Sequence, residues 1–481
     1  MNRIASARTL PALLATAALA MSAPLHAANG ITVLHSFNYD DGQYPEGRLV
    51  QGNDGAFYGT TYAGGLHHQG EVFRVDASGD FSILHSFAGD DGQSLDSGLV
   101  LMDDGHFYGT TPQTVYCHGS ICSGYGGTVF RIAADGTFAT LHTFMYTPPA
   151  EGYQPGPLTD GGDGLLYGLT VQGGGPGGEG TAYAIATDGT LVTLATFDVA
   201  NGGLPYGSLA RGTDGNFYGT TSIGGAYGKG TVFRMTPDGT IATLYSFTGG
   251  SDGGTPYGSL LQGSDGRFYG GASGGGNGAG TIFAITTAGE LTILHSFNGG
   301  DGTGPVDALV EGDDGYLYGA GGGGYQGYGT LYRLSKSGKF MTLHLFTTQD
   351  GTHPSSAPIF GGDGRLYGTT IQYGGAPGAS GSVYAFDLSA PRTPELHLTK
   401  TCYNEFNMCM RPFNTGVGGY VSLDWASANV SGCRASGAWN GSQPTGGHYK
   451  FQATRRGAFL YRLDCTGPNG PVSAQVTLTV I

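Results

Sequence analysis

The stretch Asp54-Gly55-Ala56-Phe57-Tyr58-Gly59 decides the fold, because its pattern Asp-Gly-x-(Phe/Leu)-Tyr-Gly occurs seven times along the chain. The tyrosines of successive copies are 50, 59, 51, 51, 49 and 49 residues apart. They stand at Tyr58, Tyr108, Tyr167, Tyr218, Tyr269, Tyr318 and Tyr367. A fixed period near 50 residues indicates propeller blades or a solenoid.

Each unit contains four short runs rich in β-branched or aromatic residues and bounded by glycine turns, which is typical of strands. In the fourth unit these runs are residues 208–210, 217–221, 231–235 and 243–247. The Asp-Gly step stands between the first and second runs, where a tight hairpin needs a positive φ. Four strands per unit are the blade of a β-propeller.

The order of the runs also predicts how the ring closes. A run of the fourth type, Leu34–Phe37, precedes the first Asp-Gly motif, whereas the seventh unit ends at Phe386 without a fourth run. We therefore expect the N-terminal strand to complete the last blade. The predicted fold is an all-β, seven-bladed β-propeller over residues 28–390.

The composition excludes disorder and a collagen-like fold, although 93 of the 481 residues are glycine. Hydrophobic residues make up 39% and charged residues only 12%, which is the opposite of a disordered chain. The chain also has no strict Gly-X-Y period, so it is not collagen-like.

The repeat consensus reads Gly-Ser-Leu-Val-x-Gly-x-Asp-Gly-x-Phe-Tyr-Gly-Thr-Thr, then Gly-Gly, Gly-Thr-Val-Phe-Arg and Thr-x-Leu-His-Ser-Phe. It resembles the GloVer-type tandem repeat of secreted bacterial proteins over about residues 30–388. The resemblance implies an exported protein and brings no activity with it.

The N-terminus predicts export independently of the repeat. Residues 1–27 combine basic residues, an apolar run and a small-residue cleavage site, which is the pattern of a secretory signal peptide. No later segment is apolar enough to span a bilayer. We expect a secreted, periplasmic or cell-surface protein that is monomeric.

Residues 391–481 do not repeat and predict a small Ig-like β-sandwich. Trp425 is interpreted as a core residue, and Trp439 as either a core residue or a ligand platform. An exported chain permits disulfides. The expected pairs are Cys117–Cys122, Cys402–Cys409 and Cys433–Cys465, with a zinc site at Cys117, His118 and Cys122 as the alternative to the first pair.

The charge distribution argues against nucleic-acid binding. Residues 28–390 hold 11 basic and 32 acidic residues, whereas residues 391–481 hold eight basic and four acidic residues. A strongly acidic body repels a phosphate backbone. The basic tail could contact an anionic envelope surface, although a solvated surface without a partner also accounts for its charge.

The repeated polar residues are interpreted as structural. The Asp-Gly aspartates fit hairpin geometry, and the fourth-strand histidine position also accepts Ala195 and Tyr245. Glycine-rich matches to nucleotide-binding patterns lack a strand-helix context. We expect no cofactor and no metal.

Function is therefore expected in the loops that differ between units, which a propeller places on one face around the channel mouth. The favoured hypothesis is a binding protein for an extracellular glycan or protein surface, because tyrosine combines a flat ring with a hydroxyl. The predicted binding residues are Tyr44, Tyr62, His67, His68, Tyr116, His118, Tyr206, Tyr257, Tyr325 and Tyr328.

The alternative hypothesis is an extracellular polysaccharide lyase or glycoside hydrolase with a pocket at the channel mouth. Such an enzyme needs two carboxylates, or a histidine with arginine and tyrosine, converging on one pocket. The catalytic candidates are Glu46, Asp96, His67 and His68, with Arg48, His118 and Asp307 as further members of the same set.

Overall fold

The structure is a computed structural model that describes residues 30–118, 121–146, 151–175, 177–390, 394–403, 414–415 and 420–480. The predicted signal peptide lies outside the described residues. Within them, no helix has the length and apolar character that a membrane crossing requires.

The first two repeat units each form a four-stranded antiparallel sheet, as the sequence predicts. The first sheet comprises β2 (Val50–Gln51), β3 (Phe57–Thr61), β4 (Glu71–Val75) and β5 (Phe81–Ser86). The second comprises β6 (Val100–Leu101), β7 (Phe107–Thr111), β10 (Thr128–Ile132) and β11 (Phe138–Thr143). A separate hairpin, β8 (Thr114–His118) and β9 (Ile121–Tyr125), is inserted into the second unit.

The next three units repeat this topology. The third sheet comprises β12 (Tyr153–Pro155), β13 (Thr159–Asp160), β14 (Leu165–Gln172), β15 (Thr181–Ala186) and β16 (Leu191–Thr196). The fourth comprises β17 (Ala210–Arg211), β18 (Phe217–Thr221), β19 (Thr231–Met235) and β20 (Ile241–Ser246). The fifth comprises β21 (Leu261–Gln262), β22 (Phe268–Ala272), β23 (Thr281–Ile285) and β24 (Leu291–Ser296).

The last two units join the end of the repeat to its beginning. The sixth sheet comprises β25 (Thr303–Pro305), β26 (Val310–Glu311), β27 (Tyr316–Gly322), β28 (Thr330–Ser335) and β29 (Phe340–Leu345), with a 3-10 turn at Tyr325–Gly327. The seventh comprises β30 (Thr352–Pro354), β31 (Ile359–Phe360), β32 (Leu366–Gln372), β33 (Ser382–Phe386) and β1 (Ile31–Ser36). Because β1 pairs antiparallel with β33, the N-terminal strand completes the last sheet, as the order of the runs predicts.

Neighbouring sheets pack face to face around a closed ring. Each adjacent pair encloses its own cluster of buried apolar side chains. The seventh sheet packs on the first in the same way, with the rings of Phe57 and Tyr367 stacked at 3.9 Å. This is the arrangement of a propeller-like fold.

The Asp-Gly motif has a structural role in every unit. In the fourth unit, Asp214 accepts a hydrogen bond from the backbone N–H of Asn216 at 3.1 Å and from the hydroxyl of Tyr218 at 2.7 Å. The other six units make the same aspartate–tyrosine bond at 2.6–3.2 Å. The aspartate thus closes the hairpin and satisfies the otherwise buried tyrosine hydroxyl.

The glycine after that tyrosine makes room for a side chain. A Cβ at Gly219 would lie 2.6 Å from the ring of Phe233 on the adjacent strand, and one at Gly168 would lie 2.4 Å from the ring of Tyr183. The motif requires glycine at this position because an aromatic ring, from β19 or β15 in these two units, occupies the space that a side chain would need.

The described residues between 394 and 480 form two further sheets with a shared core. One contains β34 (Glu395–Tyr403), β36 (Tyr420–Ala428) and β39 (Gly447–Gln452). The other contains β35 (Asn414–Thr415), β37 (Gly432–Gly437), β38 (Gly441–Gln443), β40 (Gly457–Gly467) and β41 (Gly470–Val480).

The core of this tail unit settles several predictions. Trp425 and Trp439 are both buried, and their indole N–H groups donate to the carbonyls of Pro444 and Arg462 at 3.0 Å. Both tryptophans are therefore core residues. The Cys433–Cys465 disulfide is confirmed. The other two cysteine pairs, and the alternative zinc site, fall on side chains outside the described part of the chain.

The tail unit contacts the sixth sheet directly. The backbone N–H of Asn429 donates to the carbonyl of Thr342 at 2.9 Å. Leu345 packs with Ala426 and Ala428. A Cβ at Gly300 would lie 2.3 Å from backbone atoms of the tail, so this contact is backbone against backbone.

Candidate functional site

The innermost segment of each unit runs beside the central channel and is held by its neighbours. Thr60 of β3 donates its hydroxyl to the carbonyl of Ser97 in the second unit at 2.9 Å. Thr110 bonds Gly156 of the third unit in the same way at 3.0 Å. Bonds of this kind fix the channel-lining backbone to a rigid scaffold, as a recognition site requires.

Glycine allows these segments to approach each other closely. A Cβ at Gly47 would lie 2.5 Å from the hydroxyl of Thr60, and one at Gly98 would lie 2.6 Å from the carbonyl of Arg48. Between the glycines stand side chains that change from unit to unit. The repeated backbone therefore presents a non-repeating set of side chains to one space.

That space is a cavity of about 280 Å³ lined by segments of all seven units. It contains three carboxyl groups, one guanidinium, two tyrosine rings and several serine hydroxyls. These belong to Glu46, Asp96, Asp307, Arg48, Tyr206, Tyr257, Ser208, Ser259, Ser355 and Ser356. The structure thus brings together Glu46 and Arg48 of the first unit, Asp96 of the second and Asp307 of the sixth, all of which the sequence nominated.

The two channel carboxyl groups Glu46 and Asp96 both have raised pKa values. Burial, and secondarily the charge of Asp96, raise the pKa of Glu46 from 4.5 to about 7. The surrounding protein also raises the pKa of Asp96, although its carboxyl faces the solvent of the channel, which moderates the effect. The channel therefore holds a carboxyl group that changes charge near neutral pH.

Arg48 faces a different carboxylate. Burial lowers the pKa of its guanidinium, and the charge of Asp307 opposes that shift. An arginine nevertheless stays charged in a protein, so Arg48 offsets the charge of Asp307. Its Nε–H is shielded from solvent and finds no acceptor among the described residues.

Tyr206 and Tyr257 form the aromatic part of the channel wall. Their ring centroids are 5.2 Å apart, and the side chains are 42% and 47% exposed. Beside them, Ser208 donates to the hydroxyl of Ser259 at 2.9 Å, and the backbone N–H of Ser259 donates to Asp307 at 3.1 Å. The arrangement offers flat apolar surface next to hydroxyl and carboxylate groups.

The variable loops lie on one face, as predicted. Backbone bridges join Gln43 to Ala63 and Gln93 to Gln113, which places the loop before each first strand beside the loop after each second strand. Tyr44 and Tyr62 are exposed there. His67 and His68 are also exposed, but neither lines the cavity that holds Glu46 and Asp96.

The remaining predicted binding residues lie elsewhere. The ring of Tyr325 stacks on His397 of the tail unit at 3.9 Å, and Tyr328 packs against the apolar cluster between the sixth and seventh sheets. Tyr325 thus belongs to the contact with the tail, so it is not part of an open loop surface. Tyr116 and His118 lie on β8, where the backbone alone is described.

The fourth-strand histidines are structural, as the sequence indicates. His85 lies 2.8 Å from Asp91, and its ring stacks on Phe138 of the next unit at 3.8 Å. His35 and His295 make equivalent contacts in their units. Each histidine ties a loop to the neighbouring sheet, outside the channel.

The channel serines are functional candidates that the sequence did not single out. Ser208 and Ser259 belong to the Gly-Ser-Leu part of the consensus, which has the pattern of an ordinary strand. The sequence did contain one signal for this site. The residue just before that element differs between units, and it is Glu46, Asp96, Tyr206 or Tyr257 at the equivalent backbone position.

Several solved structures resemble this chain at low sequence identity. The extracellular domain of a hybrid two-component system protein from B. thetaiotaomicron aligns with 94% of this chain at 12% identity and a TM-score of 0.49. PorZ, a surface component of the type-IX secretion system of Porphyromonas gingivalis, aligns with 93% at 14% identity and a TM-score of 0.44. The chain spans 58% and 60% of the lengths of these two proteins.

A gluconolactonase from Xanthomonas campestris aligns with 64% of this chain and 90% of its own length, at 16% identity and a TM-score of 0.35. No curated protein matches the sequence. The profile of the Gloeobacter/Verrucomicrobia repeat matches residues 24–213 and again residues 205–405, which together exceed half of the sequence. The chain therefore belongs to the Gloeobacter/Verrucomicrobia repeat family.

Proposed function

We propose that this protein is an extracellular recognition protein that binds carbohydrate at the mouth of its central channel. In this proposal the repeat is a seven-bladed propeller, the tail is an Ig-like module, and residues 1–27 direct export. The observation that carries the proposal is the cavity lined by all seven units, where tyrosine rings stand beside carboxyl, guanidinium and hydroxyl groups.

The chemistry of that wall suits a sugar. A pyranose presents an apolar face that packs on an aromatic ring, and hydroxyls that need donors and acceptors at its edge. Tyr206 and Tyr257 supply the rings. Asp96 supplies carboxyl oxygens and Ser208 a hydroxyl within the same cavity.

A glycan panel on the full chain tests this proposal. We expect retention of at least one polysaccharide or oligosaccharide, and about a tenfold or greater loss in the Tyr206→Ala/Tyr257→Ala variant, since stacked aromatic anchors dominate such sites. Tyr39→Ala/Tyr227→Ala is the matched control, because both tyrosines are exposed outside the cavity. No retention on any glycan, or equal loss in both variants, would contradict the proposal.

A second candidate function is hydrolysis or lysis of a polysaccharide in the same channel. The specific observation is the Glu46–Asp96 pair, in which Glu46 has a pKa of about 7 and so retains a proton near neutral pH. Two carboxyl groups in one pocket, one of them protonated near neutral pH, are the kind of pair that acid–base cleavage of a glycoside uses. Release of new reducing or unsaturated ends by the wild type, abolished in Glu46→Gln, would establish this function, and retention without product release would exclude it for that glycan.

A further inference from the structure

The charges of the channel are not balanced. Arg48 is the one positively charged side chain among the described residues that line the cavity, and it faces Asp307. The negative charges of Glu46 and Asp96 are therefore not compensated by another lining side chain. Two neighbouring carboxyl groups without a cation repel one another, so a positively charged group placed between them is favoured.

The aromatic part of the wall favours the same kind of ligand. Tyr206 and Tyr257 come from the fourth and fifth units, about opposite the first and second units that supply Glu46 and Asp96. The faces of tyrosine rings attract ammonium groups and also stack on sugar rings. A ligand that crosses the channel can therefore meet carboxyl groups on one wall and aromatic rings on the other.

The repeat region as a whole adds a long-range negative potential to that of the two carboxyl groups. Residues 28–390 hold 32 acidic and only 11 basic residues. An acidic cleft with low-dielectric walls concentrates field lines and raises the local concentration of cations. Anionic glycans are disfavoured at such a site.

We propose that the channel selects an amine-bearing saccharide, a hexosamine whose ammonium group lies between Glu46 and Asp96 while its ring packs on Tyr206 and Tyr257. This inference rests on the proposed carbohydrate-binding function and names its ligand class. It needs no covalent step and no cofactor.

Proton exchange accompanies this recognition. The titratable and charged groups that face Glu46 across the cavity are Asp96, Asp307, Arg48, Tyr206 and Tyr257. Glu46 carries a proton below about pH 7, and an ammonium group binds its ionised form. Binding therefore displaces the proton of Glu46, either to a free amine of the ligand or to solvent, and the number displaced falls as the pH rises above 7.

The test uses two probes that differ in whether their amines are free or acetylated: the tetramer of β-1,4-linked glucosamine and the tetramer of N-acetylglucosamine. Titration calorimetry of the full chain at pH 6.5 and physiological ionic strength is expected to show the amine form binding about tenfold or more tightly, as a charge-assisted hydrogen bond implies. The same titration at pH 6.5 and pH 8 should show a smaller contribution from the displaced Glu46 proton at pH 8.

Two variants locate the selectivity. Glu46→Gln/Asp96→Asn should bring the two affinities within about twofold of each other, because both ligands then face neutral side chains. Asp90→Asn/Asp313→Asn removes the same charge from exposed positions outside the channel and should preserve the preference.

Each outcome decides between the two proposals. Equal affinity for the two tetramers, or a preference that survives Glu46→Gln/Asp96→Asn, overturns the hexosamine inference and leaves carbohydrate binding in place. If neither tetramer binds while another glycan is retained, the hexosamine inference is likewise overturned and carbohydrate binding stays in place. Failure of every glycan in the panel contradicts the proposed function itself.

Discussion

Replacing Glu46 by glutamine should stabilise the protein, with a size that depends on pH. The folded protein raises the pKa of this carboxyl from 4.5 to about 7, so ionising it costs free energy in the folded state. The full shift corresponds to about 3 kcal/mol. Because the side chain is only partly buried and meets solvent in the channel, we expect about 1–2 kcal/mol.

The sign follows from the proton balance. Between pH 4.5 and 7 the folded wild type binds more protons at Glu46 than the unfolded chain, so its stability falls as the pH rises through this window. The Glu46→Gln variant has no titratable group at this position, so it does not lose this stability as the pH rises. Its free energy of unfolding should therefore exceed that of the wild type at pH 8 and match it at pH 4.5.

Chemical denaturation of both proteins at pH 8 and pH 4.5 measures this difference. Glu290→Gln is the control, since Glu290 is an exposed glutamate outside the channel and its removal should leave stability unchanged within about 0.5 kcal/mol at either pH. A Glu46→Gln variant that is less stable at pH 8, or whose advantage is the same at both pH values, would refute the electrostatic account of the channel.

Three further predictions concern the scaffold. Phe37→Ala and Phe247→Ala each remove a fully buried ring and should each cost about 3–5 kcal/mol, but only Phe37→Ala should expose the N-terminal strand to limited proteolysis. Asp214→Asn should lower the free energy of unfolding by about 1–2 kcal/mol at pH 7. The pKa of Asp214 is low because the hydrogen bonds that it accepts, including one from Tyr218, outweigh its partial burial, so this loss should shrink as the pH falls below 4 in urea denaturation. Gly300→Ala should separate the tail from the sixth sheet, measured as an increased radius of gyration in small-angle scattering with an unchanged circular dichroism spectrum; an unchanged radius would contradict the backbone contact.

The fold could be predicted from the sequence because its information is local and repeated. A single Asp-Gly motif is a weak turn signal, but seven copies define the strand order of every sheet. The closure by β1 was also predictable, since the count of fourth-strand runs leaves the last unit incomplete. What the repeat did not reveal is why Gly219 is needed, because the ring that fills its space comes from the adjacent strand.

The candidate site was predictable residue by residue but not as an arrangement. Glu46, Asp96 and Asp307 stood out because they interrupt the repeat, yet their convergence depends on ring closure and not on sequence spacing. His67 was as distinctive in the sequence and lies outside the cavity. Tyr325 looked like an open loop residue because the tail that stacks on it lies about 70 residues further along the chain.

The most direct test of carbohydrate recognition in the channel is a crystal structure of the full chain soaked with the β-1,4-linked glucosamine tetramer. We predict sugar density inside the central channel, with a ring against Tyr206 or Tyr257 and an amine nitrogen within about 3.2 Å of a carboxylate oxygen of Glu46 or Asp96. Density confined to the outer surface of the sheets or to the tail unit, with an empty channel, would contradict it.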